Sequence, residues 1–305
     1  MKKAFKYIAN FPETYNAYGR DQWVRQHDDS IVIINCKSSA IYYPDHWTPL
    51  SMKCAFNGRE YYKFPHTTYA VSDGNFLLLN EDNVYESYIN SDSPTESFTL
   101  NFTRKNLKSL SAYISAKKHD IIGYETNSKI STLRVVEKLY PHTARTLGYI
   151  NAIRNFYRRN DLDDNKLLEI FHFILADLVD LDQKTSMEID RLGAKKRITR
   201  EELYKRLHTV RDYLHSCFHE EVSLNDLAKI SFLNSYYLLR EFKKYFHVTP
   251  HQYLTRIRLQ EAKRLLFQTR HSIVDVALRV GYNDAASFSK LFKRETGVSP
   301  MHLRK

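Results

Sequence analysis

Ser223 to Leu254 reads SLNDLAKISFLNSYYLLREFKKYFHVTPHQYL, and Ser272 to Leu303 reads SIVDVALRVGYNDAASFSKLFKRETGVSPMHL. One pattern is written twice. Ser223, Asp226 and Ala228 recur 49 positions later as Ser272, Asp275 and Ala277. Past the turn the offset is 50, and Leu238, Arg240, Phe242, Lys243, Val248 and Pro250 answer to Phe288, Lys290, Phe292, Lys293, Val298 and Pro300. A repeat of this period asks first for a solenoid or an array, and two copies are too few for either.

Each copy explains itself as a helix, a tight turn and a second helix. Ser223 with Asp226, and Ser272 with Asp275, have the N-cap and third-position spacing of a capping box, with Asp in place of Glu or Gln. Asn234 and Asp284 then stand as N-caps of the second helices. On the first of these, Leu238, Phe242 and Tyr245 form an apolar stripe, while Ser235, Tyr236, Leu239, Arg240, Lys243 and Lys244 lie on or beside the opposite face. On the second, Phe288 and Phe292 point inward, and Ala285, Ala286, Ser289, Lys290, Lys293 and Arg294 point out or flank. Small and polar residues followed by cations suit a helix that meets base edges at its start and phosphates elsewhere. For a single such helix a solvated basic face is the plainer reading; duplication of the whole pattern favours DNA.

The run from Ala262 to Pro300, AKRLL and then SIVDVALRVGYNDAASFSKLFKRETGVSP, closely resembles the DNA-binding domain of AraC/XylS-type bacterial transcription regulators. The resemblance covers roughly Tyr204 to Arg304. It implies two helix-turn-helix units, expected at 223–246 and 272–295, joined by a long helix that begins at Pro250, a residue tolerated at the first helical position. Such a helix would hold the two recognition helices in successive major-groove segments, about 34 Å apart along the duplex.

Charge follows the same division. Of the net +11 over 305 residues, positions 200–305 carry +8, with nineteen basic against eleven acidic side chains, while 1–120 carry +1 and 121–199 carry +2. A polyanionic partner for the C-terminal part is the expectation. Three cysteines, Cys36, Cys54 and Cys217, have no metal-ligand spacing and fit a reducing cytoplasm. No apolar leader or membrane-spanning run is legible, so a secreted or membrane-spanning protein is not expected.

Residues up to about 120 read as short strands: Ser30 to Asn35, Ser51 to Phe56, Arg59 to Tyr62, Thr67 to Val71, Phe76 to Asn80, Val84 to Ile89 and Glu96 to Phe102. Asn57-Gly58, a hairpin signal, Asp73-Gly74 and Ser93-Pro94 punctuate them. An antiparallel barrel or sandwich is expected. The order, with phrases such as FLLLN and VYESYI, is similar to the cupin-like effector and dimerisation domain common at this position in AraC-like proteins, which implies a cavity for one small molecule. Trp47, Tyr62, Tyr69, Tyr85 and Tyr88 are the candidates to line it, although an aromatic on a strand is more often plain core. A metal-dependent cupin enzyme would need converging His and carboxylate ligands. His27, His46 and His66 stand apart, and neither a nucleophile motif nor a Gly-rich phosphate loop appears, so no catalysis, metal or cofactor is expected.

From about Ser128 the period becomes helical. Ile130, Leu133 and Val136 predict a helix ending near Pro141; Leu147, Ile150, Ile153 and Tyr157 predict a second; and Leu167, Phe171, Ile174, Leu178 and Leu181 predict a third with a short heptad-like seam. The seam is either a dimer interface or a helix packed on its own barrel, and the family resemblance favours dimerisation. Asp182 to Arg200 is polar and reads as a linker, and Leu203, Leu207, Val210, Leu214 and Phe218 stripe the scaffold helix that follows.

The expected architecture is therefore α+β. It comprises a cupin-like antiparallel barrel at 1–120, a helical dimerisation segment at 121–182, a linker at 183–202 and an all-α domain with two helix-turn-helix motifs at 203–305. The expected function is that of a cytoplasmic, bacterial, homodimeric regulator, more an activator than a repressor, which binds promoter DNA. RNA polymerase as a partner is implied by the resemblance, and a small effector in the barrel would control it. An effector-independent dimeric regulator and a cupin enzyme fused to a DNA-binding domain are the rivals.

Overall fold

The structure, a computed structural model, describes residues 5–9, 30–81, 83–105, 107–108, 133–159, 163–193 and 196–304. His27, Ile130 and Lys195 lie outside the described residues. The chain divides into two units, Met1–Glu201 and Glu202–Lys305.

The first unit is built on eight strands, β1 (Phe5–Ile8), β2 (Ile31–Thr48), β3 (Leu50–Phe56), β4 (Arg59–Lys63), β5 (Thr68–Ser72), β6 (Asn75–Leu79), β7 (Asn83–Phe102) and β8 (Leu139–Pro141). Val84–Ile89 and Glu96–Phe102, expected as separate strands, are the two halves of β7. Its register against β2 shifts between Thr95↔Ser38 and Asn90↔Ala40, and Pro94 falls in that irregularity, where a residue without an N–H breaks no ladder bond. The bulge also changes β7's other neighbour: residues 96–102 pair with β3, whereas 86–88 pair with β4.

This partner change overturns the closed barrel. The hydrogen-bonded path runs β1-β2-β7-β3-β6-β8, with β4 and β5 branching from β7, so the sheet remains open among the described residues. Pairing is antiparallel except between β1 and β2, which run parallel. Asn57-Gly58 is a turn, with Asn57 at φ 62°, but no β3–β4 hairpin forms across it. A Cβ on Gly58 would sit 1.9 Å from Thr95 Oγ1, so the close approach of β7 demands glycine there.

All seven residues of β3 are buried, because both of its faces are covered. Leu50, Met52, Cys54 and Phe56 join the core cluster that includes residues of two helices, α1 (Ala144–Arg159) and α2 (Asp164–Asp190). The alternate residues Ser51, Lys53 and Ala55 face the other side, where Tyr62, Tyr69, Val71, Leu77, Leu79 and Tyr85 form a second cluster with Ala55. Arg154 of α1 clamps the sheet: its Nε and Nη2 donate to the buried Glu96 carboxylate at 2.8 and 2.6 Å, and its guanidinium lies 4.1 Å from the Phe56 ring centroid.

One helical expectation is corrected. The helix expected to end near Pro141 is not formed at its described end, where residues 133–138 are irregular and Leu139–Pro141 is strand β8 paired with β6. On α2 the seam residues Leu167, Phe171, Ile174 and Leu178 are 0–2% exposed and Leu181 packs partly buried against the same cluster, which also includes residues of the sheet. The polar stretch 182–200 is helical to Asp190 and again from Arg197.

The second unit contains α3 (Arg197–Ser216, its main part), α4 (Leu224–Ser231), α5 (Ser235–Phe246), α6 (Pro250–Gln268), α7 (Ile273–Arg279), α8 (Ala285–Thr296) and α9 (Pro300–Leu303). Its core is a separate cluster that joins the α3 stripe to Leu238 and Phe242 of α5, to Ile257, Ala262 and Leu266 of α6, and to Phe288 and Phe292 of α8. α6 starts as expected, with Thr249 as N-cap, Gln252 completing a capping box and Pro250 in the first turn. Its 19 residues give a spacer about 28 Å long.

Candidate nucleic-acid interface

The capping box that starts the first helix of each pair is the same in both copies. Ser223 Oγ accepts from Asp226 N at 3.1 Å, and Asp226 Oδ2 takes Ser223 N at 3.2 Å and the Ser223 hydroxyl at 2.6 Å. Ser272 and Asp275 repeat the set at 3.0, 3.1 and 2.6 Å. Asn234 Oδ1 accepts from Tyr237 N at 2.8 Å to start α5, and Asp284 accepts from Ala286 N at 3.1 Å and Ser287 N at 2.8 Å to start α8. These bonds hold the Asp226, Asp275 and Asp284 carboxyls below the usual aspartate value.

With the starts fixed, the 3.6-residue period decides what faces out. On α5, Leu238 and Phe242 are fully buried and Tyr245 half-buried, while Tyr236, Arg240, Lys243 and Lys244 are exposed and Ser235 and Leu239 are intermediate. Ser235 Oγ donates to Asn225 Oδ1 at 2.9 Å, tying α5 to α4. The Arg240 guanidinium donates to Glu241 Oε1 at 2.9 and 2.8 Å and lies 5.0 Å from the Tyr237 ring centroid, so contact with a base requires an exchange of partner. On α8, Phe288 and Phe292 are fully buried; Ala286, Lys290, Lys293 and Arg294 are exposed; and Ala285 and Ser289 are intermediate. The two second helices thus present cations in corresponding positions.

Two positioning arginines escape sequence reasoning. Arg206 on α3 donates to the Phe232 carbonyl at 2.8 Å and so holds the turn before α5. Arg258 on α6 donates to the carbonyls of Phe218 and Glu220, both at 2.7 Å, and stands 5.1 Å from the Tyr282 ring centroid, beside the turn before α8. Both are cations in helices that bear many, and spacing carries no signal that their partners are backbone carbonyls in other parts of the fold.

The first unit contains a small, partly open cavity of about 30 Å³, lined by Ile34, Tyr43, His46, Lys53, Glu60, Tyr62, Tyr85, Ser87, Ser97 and Thr99. Of the expected aromatics, Tyr62 and Tyr85 line it. Tyr69 is buried against Phe64, Tyr88 stacks on Tyr61 at 4.9 Å, and Trp47 packs beside Val32, Ile34 and Cys36. Sequence reasoning does not single out Lys53 or Glu60; for Lys53 the available signal is a charge at an alternating position of the strand Leu50–Phe56, and for Glu60 a charge on the aromatic-rich strand Arg59–Lys63. Burial pulls the Lys53 ammonium down to about 8, raises the Glu60 carboxyl and holds His46 neutral at about 4. Among the described residues, no three His, Cys, Asp or Glu side chains gather as a metal site would require. No described helix is long and apolar enough to cross a membrane.

A family model described as a helix-turn-helix domain matches residues 227–305. The HTH-type transcriptional activator RhaS of Enterobacter sp. (strain 638) is 39% identical over 99 residues, which are 32% of this chain and 36% of that protein. The raffinose operon transcriptional regulatory protein RafR of Pediococcus pentosaceus is 37% identical over 93 residues, 30% of this chain and 34% of that one. The chain thus spans about a third of the length of these curated relatives. Among solved structures, a Chromobacterium violaceum transcriptional regulator described by its AraC-type DNA-binding domain matches with a TM-score of 0.32 and 28% identity, over 32% of this chain and 88% of that one.

Proposed function

We propose, from the premise that the C-terminal region is a helix-turn-helix domain of the AraC/XylS type, that the whole chain is a sequence-specific regulator of transcription, an activator, that binds double-stranded promoter DNA. One observation carries the reading: two helix-turn-helix units, each opened by the same Ser–Asp capping box, present corresponding cations, Arg240 and Lys290, Lys243 and Lys293, on the exposed sides of α5 and α8. The helix α6 between them, about 28 Å long, suits adjacent major-groove segments, whose repeat is about 34 Å. Ser235, Tyr236, Leu239, Ala285, Ala286 and Ser289 stand nearest the helix starts, where base edges are met; Lys244, Lys293 and Arg294 suit phosphates.

Arg240 can read guanine with both ends of its guanidinium, whereas Lys290 offers a point charge, so the second half-site is read more loosely. The protein acts as a homodimer with RNA polymerase as its partner, in the cytoplasm and without chemistry of its own. Its N-terminal unit senses a small effector; the cavity around Tyr62 and Tyr85 favours this over effector-independent dimerisation. The test is genome-wide mapping of bound sites followed by titration of a mapped promoter at fixed salt. Arg240→Ala and Lys290→Ala should each weaken specific binding by about five- to 150-fold, the worth of a good base contact. Wild-type affinity in both folded variants would remove the assignment of these faces.

A further inference from the structure

The cavity in the first unit contains two opposite charges that do not meet. Lys53 on β3 and Glu60 on β4 are 4% and 3% exposed, and both line the cavity. Among the described residues they form no ion pair with each other, and Glu60 Oε2 is buried without a hydrogen-bond partner. The Glu60 carboxyl is held from its sides by Ser97 and Tyr62, and Lys53 Nζ stands 5.5 Å from the Tyr85 ring centroid and 5.9 Å from that of Tyr62. Each feels the other's opposite charge, yet the two are not in contact, so an occupant with one anionic and one cationic end can bond to both at once and complete the buried Glu60 carboxylate.

We propose that this cavity receives the head group of a small zwitterion, a free amino acid, with its carboxylate on Lys53 and its ammonium on Glu60; the proposal rests on the N-terminal unit being an effector-binding unit. Charge balance selects the class. The lining pairs one basic with one acidic side chain, and His46 is kept neutral by burial, so an occupant of net charge would upset that balance whereas a zwitterion preserves it. The enclosed part, about 30 Å³, has room for roughly two water-sized groups, so only the charged tips of a small head group enter it, and the open side leaves a path for the rest of the molecule. The faces of Tyr62 and Tyr85 add the environment an ammonium prefers.

The experiment uses the full chain. Thermal unfolding is followed with each L-amino acid in turn at millimolar concentration, and with glycerol and glucose as uncharged polyols. One or a few amino acids should raise the melting midpoint. Their amides, which lack the carboxylate, and their N-acetyl derivatives, which lack the ammonium, should bind on the order of tenfold to a hundredfold more weakly, the range of one lost charge-assisted bond. Lys53→Met or Glu60→Gln alone leaves the other charge stranded and can unfold the unit; the double variant Lys53→Met/Glu60→Gln keeps the site neutral and should fold yet lose the response. The proposal is overturned if no amino acid shifts the midpoint, if the blocked derivatives bind as well as the parent, if a polyol gives the shift instead, or if the folded double variant keeps the response. An amino acid that binds through Lys53 and Glu60 without altering promoter affinity supports the ligand class and removes the effector reading. A polyol that alters promoter affinity does the reverse.

Discussion

At the scale of the residue, the two turns share one hydrogen-bond pattern and differ at its left-handed position, Phe232 in one and Gly281 in the other. Phe232 N bonds to the Lys229 carbonyl and Leu233 N to that of Ala228; Gly281 N and Tyr282 N make the same bonds, 49 positions on, to Leu278 and Ala277. Both Phe232 and Gly281 are left-handed, at φ 53° and 85°. The conformation costs a non-glycine residue about 1–2 kcal/mol, and glycine's extra freedom when unfolded returns about 0.5–1 kcal/mol of that. With its side chain 65% exposed, Phe232 gives up little packing, so Phe232→Gly should stabilise the C-terminal unit by about 0.5–1 kcal/mol, read as a higher urea midpoint with unchanged slope. Gly281→Ala should go the other way, by about 1–3 kcal/mol, because its Cβ would stand 2.8 Å from Arg258 Nη2 and 2.9 Å from the His219 carbonyl. The repeat itself was legible, since capping and stripe positions follow local rules. A phenylalanine in a left-handed turn was not, because no local preference points to it.

At the scale of the element, the caps were legible and their consequence is a pH dependence. Asp226, Asp275 and Asp284 are depressed below the ordinary value of 3.8 by bonds from Ser223, Ser272 and Ser287 and from backbone N–H groups. A depressed carboxyl contributes stability that is fully present above its unfolded value and lost as pH falls through its folded one. The C-terminal unit should therefore lose stability below about pH 4, and Asp275→Asn should flatten that loss in circular-dichroism melts. Helix α2 shows the limit of periodicity: the stripe from Leu167 to Leu178 named a buried face, and the same four-three spacing serves a coiled-coil seam or a helix on a sheet. Since Ile174 is 2% exposed within its own core, Ile174→Asp should unfold the N-terminal unit by stranding a charge worth several kcal/mol, a large part of any domain's stability. A folded monomer in sedimentation would instead make that face an interface.

At the scale of the whole molecule, most central strands were readable, whereas Phe5–Ile8, the second half of β2 and Leu139–Pro141 were not, and strand partnership was not readable at all. The halves of β7 belong to different neighbours because of a bulge, and that choice lies in contacts with β3 and β4, which no window of sequence holds. For the same reason the cavity charges Lys53 and Glu60, seven positions apart on different strands, gave no joint signal. What both levels agree on is that the C-terminal unit closes its own core around Leu207, Phe242, Ala262 and Phe292. The fragment Glu202–Lys305 should thus fold alone and select the same DNA sequence as the whole chain, more weakly because it lacks a second copy and with no response to an effector. In the whole chain, a compound bound in the first unit that changes promoter affinity must have its own affinity changed by the same factor when promoter DNA is present, commonly about five- to 150-fold. Calorimetric titration of that compound with and without promoter DNA measures the factor directly. Equal affinities would leave the N-terminal unit without a sensing role.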